Sequence, residues 1–231
     1  MLFNTIDFVI FFFIVVGIIT ILKYRRFQHI FIIFASVFFL YYTNNYLIVI
    51  LIFTILFHYY IGRQIYKADS KDGKKIFLIA GLAGSLGLLG FFKYADFAIA
   101  QFNILGQELN LNPDIPFLNL ALPIGISFYT FQSISYIIDI YRGNLTPSKT
   151  LREYAFFVAF FPTLVAGPIL RARQFLPQLR EKIEQSDTTG RLRQFVIHHS
   201  SLKFGLTLMA LGFLKKMFFA DNIGILVDNI F

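Results

Sequence analysis

Phe27 to Gly62 reads FQHIFIIFASVFFLYYTNNYLIVILIFTILFHYYIG, 36 consecutive residues without a formal charge. A membrane-crossing helix needs about 20 apolar residues, so the run is too long for one span. Thr43-Asn44-Asn45 places a polar, turn-prone break near its middle. The stretch therefore predicts a hairpin of two membrane helices. Upstream, the uncharged run from Phe8 to Leu22, extended back through Asp7 to Leu2, predicts another span ending at Lys23, Arg25 and Arg26. No basic residue precedes it and further spans follow, which favours a first transmembrane helix over a signal peptide.

Composition agrees over the whole chain. Of 231 residues, 57% are hydrophobic and 15% charged, with 31 Phe and 12 Tyr, where a soluble domain carries roughly 25% charged residues. One aqueous core has no room for so much apolar surface, so the bilayer must cover the remainder. The formal charge is +8, but the Lys and Arg residues cluster in short loops between apolar runs, a topogenic pattern rather than a nucleic-acid surface. The chain contains no Cys, which excludes disulfides, thiolate metal sites and Cys nucleophiles.

Further along, Arg63 to Lys75 reads as a polar, basic loop and Ile76 to Phe92 as the next span. Ala80/Gly84 and Gly81/Ser85 give that span the small-xxx-small spacing that lets helices approach closely. Lys93 to Leu120 reads as an amphipathic stretch and then a loop with Pro113 and Pro116, lying at a membrane surface. Leu122 to Gly143, LPIGISFYTFQSISYIIDIYRG, then predicts a membrane helix over Gly125 to Tyr141, opened by Pro123 and Gly125.

The basic residues set an orientation. Lys23, Arg25 and Arg26 face the cytoplasm together with the five basic residues of Arg63 to Lys75, so the N-terminus faces outward. Alternation places Arg142, Lys149 and Arg152 inside. It would put the six basic residues of Arg171 to Arg193 outside if Glu153 to Leu170 crossed the membrane. Pro162 and Gly167-Pro168 interrupt that segment, so the easier solution is a re-entrant element returning to the cytoplasmic side. Broken backbone at membrane depth must be buried in protein or line an aqueous cavity.

Tyr129, Gln132, Tyr136 and Asp139 recur at steps of three and four, which puts them on one helical face, with Phe128, Phe131, Ile134, Ile137 and Ile138 occupying much of the rest. Polar side chains inside a membrane face a bundle interior or an aqueous path. Two roles are open for this stripe: lining a substrate path, or bracing neighbouring helices and the broken backbone. Asp139 also has the option of an interfacial pair with Arg142. His198 and His199 are adjacent and diverge on a helix, while His29 and His58 sit in apolar runs and read as packed or interfacial. No metal-ligand spacing, Gly-rich phosphate loop or G-x-S-x-G motif is present.

Four stretches, in order, resemble the membrane-bound O-acyltransferase family, and most closely its bacterial branch that acetylates alginate and related polysaccharides. They are GLLGFFKYADF (Gly87 to Phe97), the segment around GISFYTFQ (Gly125 to Gln132), FFPTLVAGPILRARQFLPQL (Phe160 to Leu179) and GFLKKMFFADNI (Gly212 to Ile223). The resemblance implies an all-α, polytopic bundle with re-entrant and broken helices around a tunnel. Residues 1–231 would be a single transmembrane domain, the N-terminal half of a larger one.

It further implies a multi-pass protein of the bacterial inner (cytoplasmic) membrane that transfers an acyl group, acetyl above all, to hydroxyls of a cell-envelope or secreted polysaccharide. Acyl-CoA would be the donor, with no resident cofactor and no metal. The partners would be the lipid bilayer, the remaining C-terminal half and a periplasmic or extracellular acetyl-transfer protein, with no nucleic acid. Tyr129, Gln132, Tyr136 and Asp139 would line or brace the tunnel, and Pro162, Gly167 and Pro168 would shape the re-entrant turn.

Arg171 and Arg173 have two readings, contact with the phosphates of the acyl-CoA donor or a topogenic charge. The chemistry needs a base for the acceptor hydroxyl, which a histidine supplies near neutral pH. In the family that histidine lies in the later half, near Trp-rich segments. This chain has no Trp and none of its four histidines matches the position, so no catalytic residue is assigned and the chain is expected to be inactive alone. The alternatives are a non-catalytic membrane subunit or scaffold of a polysaccharide-modification or export complex, and a small transporter. The last calls for an internal repeat, which the sequence lacks.

Overall fold

The computed structural model describes residues 5–22, 24–44, 48–109, 111, 114–123, 125–164, 167, 170–184 and 199–228. Among them the secondary structure is helical, with no strand. The elements are α1 (Ile6–Ile21), α2 (Arg25–Asn44), α3 (Ile48–Lys67), α4 (Lys71–Glu108), α5 (Ile126–Tyr141), α6 (Leu151–Ala159), α7 (Phe161–Leu164) and α8 (Ala172–Glu184). They are followed by α9 (His199–Leu214), a π-helical turn (Lys215–Ala220) and α10 (Asp221–Asp228). This is an all-α membrane bundle. Among the described residues α3 and α4 are long and apolar enough to cross a bilayer, and Ile6–Ile21 and Arg26–Tyr42 are shorter apolar helices.

The chain divides into two compact units, residues 1–31 with 186–231, and residues 32–185. In the first, Thr5 caps α1 by accepting from the Phe8 N–H, and the Gln28 amide donates to the carbonyls of Ile19 and Leu22 at 3.1 and 3.2 Å. Gln28 thereby satisfies backbone acceptors that the end of α1 leaves open. Lys216 in the π-helical turn pairs with Asp221 at the head of α10.

In the second unit α5 is central, packing against α3, α4, α6 and α8. Each helix buries one stripe. On α2, Ile32, Ala35, Ser36, Phe39 and Leu40 are buried, whereas Phe34, Phe38 and Tyr41 are exposed as lipid-facing residues would be. On α3 the buried set is Leu51, Thr54, Ile55, His58, Ile61, Gly62 and Ile65.

Two expected boundaries move. The basic segment Arg63 to Lys75 is largely helical, since α3 continues to Lys67 and α4 starts at Lys71, leaving Ala68 to Ser70 between them. Ser70 starts α4 with its Oγ accepting from the Gly73 N–H at 3.0 Å, a cap that needs no long loop. The span expected over Ile76 to Phe92 is part of a 38-residue helix that carries on through Lys93 and Asp96. At 1.5 Å per residue α4 is about 57 Å long. A hydrocarbon core is about 30 Å thick, so charges partway along the helix mark where it leaves the apolar layer and need not end it.

Small residues set the spacing of α3, α4 and α5. A Cβ on Gly81 would lie 2.7 Å from Ile137 Cδ1, on Gly84 2.8 Å from Phe57 Cζ, and on Gly62 2.7 Å from Tyr136 Cε1. Gly81 and Gly84 were legible from their spacing; Gly62, on α3, was not. Gly62→Ala is expected to destabilise the protein by about 1 to 3 kcal/mol through overpacking against the buried Tyr136 ring. Gly87→Ala, where a Cβ meets nothing within 4 Å, should be neutral or slightly stabilising. Thermal unfolding of both variants in one detergent checks the contrast, and equal shifts would refute it.

Candidate functional site

Pro162 dictates the geometry of the region where the Phe160 to Leu179 stretch meets the start of the Gly125 to Gln132 stretch. Its ring cannot follow an unbroken helix, because it would clash with the carbonyl four residues earlier, that of Val158. The helix accordingly ends at Ala159, Phe160 turns out at φ −60° and ψ 103°, and α7 begins at Phe161. Pro162 itself is exposed within α7. Around the break Phe156, Phe157, Val158, Ala159, Phe161 and Leu164 are buried, while Phe160 at the break is half-buried.

An intact helix would join the Phe161 N–H to the Phe157 carbonyl. Here two side chains replace that bond. Gln132 Nε2 of α5 donates to the Phe157 carbonyl at 2.9 Å, and the Phe161 N–H donates to Ser36 Oγ of α2 at 3.2 Å. Ser36 in turn donates its hydroxyl hydrogen to the Ile32 carbonyl at 2.7 Å. Both halves of the severed bond are thus satisfied, as buried backbone groups require. Phe39 packs against Phe161 with ring centres 5.9 Å apart.

The start of α5 closes on the other side of the break. Gly125 has φ +79°, and a Cβ there would stand 2.4 Å from the Leu164 carbonyl oxygen. A glycine at the helix start thus lets the two backbones touch. Gly167 is equally confined, its Cβ position lying 2.4 Å from Thr163 Cα. Pro168 lies outside the described residues.

All four members of the polar stripe are buried on α5, with exposures of 1% for Tyr129, 3% for Gln132, 0% for Tyr136 and 6% for Asp139. Gln132 braces the broken helix. Tyr136 holds the following loop, its hydroxyl accepting from the Ser148 N–H at 3.0 Å while its ring lies 4.4 Å from that of Tyr154. The Tyr129 hydroxyl and Asp139 Oδ2 are buried without a hydrogen-bond partner among the described residues. No ion pair joins Asp139 to Arg142. Ile137, expected away from the polar face, is fully buried against the Gly81 side of α4.

A cavity of about 220 Å³ lies elsewhere, beside the Phe91 to Asp96 stretch of α4, and no α5 residue lines it. Arg171 and Arg173 are exposed at the head of α8, where the Gln174 N–H bonds to the Arg171 carbonyl.

Of the histidines, His29 is buried, His199 is the first residue of α9 and His198 lies outside the described residues. His58 is buried between α3 and α4, with Nδ1 2.9 Å from the Thr54 carbonyl and Nε2 2.6 Å from Ser85 Oγ. A carbonyl only accepts, so Nδ1 carries the proton and donates to Thr54; Ser85 Oγ lies between Nε2 and the Gly81 carbonyl, and its one hydroxyl hydrogen serves one of these two acceptors. That arrangement spends Nδ1 on the backbone of α3 itself and Nε2 on the link from α3 to α4. Sequence reading missed Ser36 and the His58–Ser85 pair; the available signal was that each is a polar residue on the buried stripe of an apolar helix. Among the described residues no group of three or more His, Cys, Asp or Glu side chains converges as a metal site.

No family model and no solved structure matches the chain. It is 36% identical over 178 residues to a probable alginate O-acetylase AlgI of Pseudomonas putida, covering 76% of this chain and 34% of that protein. Another probable alginate O-acetylase AlgI, from Pseudomonas syringae pv. tomato, is 33% identical over 209 residues, 90% of this chain and 38% of the relative. A peptidoglycan O-acetyltransferase of Helicobacter pylori is 31% identical over 224 residues, covering 87% of this chain and 40% of the relative. The chain thus spans between a third and two fifths of the length of these curated relatives.

Proposed function

Since the chain belongs to the membrane-bound O-acyltransferase family, we propose that it serves acyl transfer to hydroxyl groups of a polysaccharide or other cell-envelope polymer, as a multi-pass protein of the bacterial inner membrane. The observation that carries this reading is the alignment with O-acetylating relatives over 76 to 90% of the chain. Acetyl-CoA is the donor in this reading, and an acetyl-transfer protein outside the membrane is a partner.

The described residues supply the frame rather than the base. Acyl transfer from a thioester needs a group to take the acceptor hydroxyl's proton as oxygen attacks the carbonyl carbon. Neither His29 nor His58 is open to a substrate, and His58 has both nitrogens occupied. What the chain contributes is positioning: Gly125 and Leu164 in backbone contact, Gln132 and Ser36 holding the break, and Tyr136 holding the loop beyond α5. Arg171 and Arg173 at the head of α8 suit the donor's phosphates, since the positive end of the helix and two guanidinium groups act together there.

The reading is tested in membrane vesicles carrying the protein, supplied with acetyl-labelled CoA, by counting label in the polymer fraction. Label above that of vesicles lacking the protein is expected once the C-terminal half that would carry the base is present in the same vesicles, and its absence there would reject the function. Arg171→Ala should raise the acetyl-CoA concentration needed for half-maximal labelling about fivefold, the effect of losing one exposed phosphate contact. An unchanged requirement would remove Arg171 from the donor site.

A further inference from the structure

We propose that the cavity beside Lys93 seats the phosphoethanolamine headgroup of a membrane lipid. The cavity measures about 220 Å³, with Phe91, Phe92, Leu120 and Leu122 as apolar walls and Lys93 and Asp96 as its charged lining. Such a space admits a headgroup but not a helix, whose diameter with side chains is about 10 Å. Lys93 is the first charge after the uncharged run Ile76 to Phe92, so it marks the level at which α4 passes from acyl chains to headgroups.

The segment that leads into Leu120 and Leu122, the cavity wall opposite α4, is tied to the helix before any ligand arrives. Asn103 bonds both polar groups of Ile115, donating to its carbonyl at 3.0 Å and accepting from its N–H at 3.1 Å. Asp96 Oδ1 accepts from the Leu118 N–H at 2.8 Å. Three side-chain bonds thus strap residues 115–118 along the helix. A wall whose approach is anchored in this way has less freedom to lose on binding.

Charge selects the headgroup. Lys93 and Asp96 are three residues apart and share a helix face. A phosphodiester suits the Lys93 ammonium, which stands 5.4 Å from the Tyr94 ring centre. A carboxylate offers about four acceptor positions, so Asp96 can hold the Leu118 N–H and still accept from a primary ammonium. A glycerol headgroup brings its phosphate toward Asp96 with no cation to offset it. A trimethylammonium has no N–H to donate. The assignment rests on α4 lying in a membrane and is independent of acyl transfer, so failure of the labelling assay above leaves it standing.

The test is native mass spectrometry of the purified chain, titrated with phosphatidylethanolamine, phosphatidylcholine, phosphatidylglycerol and soluble glycerophosphoethanolamine. One phosphatidylethanolamine should be retained about fivefold better than either other lipid, and the soluble headgroup should compete only weakly. Lys93→Gln and Asp96→Asn should each lower that retention about fivefold, the effect of one partly exposed charge, while Lys75→Gln leaves it unchanged. Asp96→Asn keeps an oxygen for the Leu118 N–H, so the strap survives and charge alone is tested. Equal retention of the three lipids by the unmodified chain, preference for phosphatidylglycerol, or indifference to both substitutions would overturn the proposal. A soluble headgroup competing as well as the lipid would overturn the lipid assignment.

Discussion

Gly125→Ala is expected to cost about 3 kcal/mol or more and to leave little folded protein in detergent. Two penalties combine. A left-handed backbone, φ +79° here, costs a residue with a Cβ roughly 1 to 2 kcal/mol. The added methyl would also stand 2.4 Å from the Leu164 carbonyl oxygen, and overpacking in a filled interior costs typically 1 to 3 kcal/mol. The obstacle is backbone and not the end of a flexible side chain, so no rotamer change relieves it. Gly143→Ala is the control: φ is +75° but nothing lies within 4 Å, so only the conformational penalty applies. Unfolding midpoints for the two variants measured side by side separate contact from conformation. Equal losses would mean that the contact between Gly125 and Leu164 contributes nothing.

The second large effect comes from removing both braces of the broken helix. Gln132→Leu leaves the Phe157 carbonyl without its donor, and Ser36→Ala leaves the Phe161 N–H without its acceptor. Each buried group left unsatisfied costs about 1 to 3 kcal/mol. The double variant should therefore lose about 2 to 6 kcal/mol, the range set by two buried groups left unsatisfied. Adding Pro162→Ala should restore part of the loss. Without the ring, residues 157–161 are free to form a helical turn in which the two orphaned groups bond each other. Chemical-denaturant unfolding of the four proteins decides the matter, and a triple variant no more stable than the double would show that Pro162 does not maintain the break.

Much of this frame was legible in the residues. The uncharged 36-residue run gave α2 and α3 on either side of the expected turn, and Gly125 marked the start of α5. The three-and-four spacing of Tyr129, Gln132, Tyr136 and Asp139 placed all four on the buried side of that helix. The length of α4 was not legible, because Lys93 and Asp96 look like a surface stretch when read by charge, although a straight helix that emerges from the bilayer carries charges without ending. Ser36 was hidden for a different reason. Its partner lies 125 residues away, and no periodicity within α2 distinguishes a hydroxyl that only back-bonds to its own helix from one that also accepts from another segment. The choice between lining and bracing, open for the stripe, turns on contacts made across the bundle. For Gln132 and Tyr136 those contacts are the Phe157 carbonyl and the Ser148 N–H.

The severed bond at Phe157 and Phe161 also bears on how the protein is made. A helix brings its own hydrogen bonds into the bilayer, but this segment has two backbone groups that it cannot pair by itself. Their partners are Ser36 and Gln132, and both belong to helices that leave the ribosome earlier. Helices α2 and α5 therefore act as the solvent into which the later segment dissolves. The vectorial order of synthesis, with Ser36 first, Gln132 next and Phe157 to Phe161 last, has the receptor built before its guest arrives.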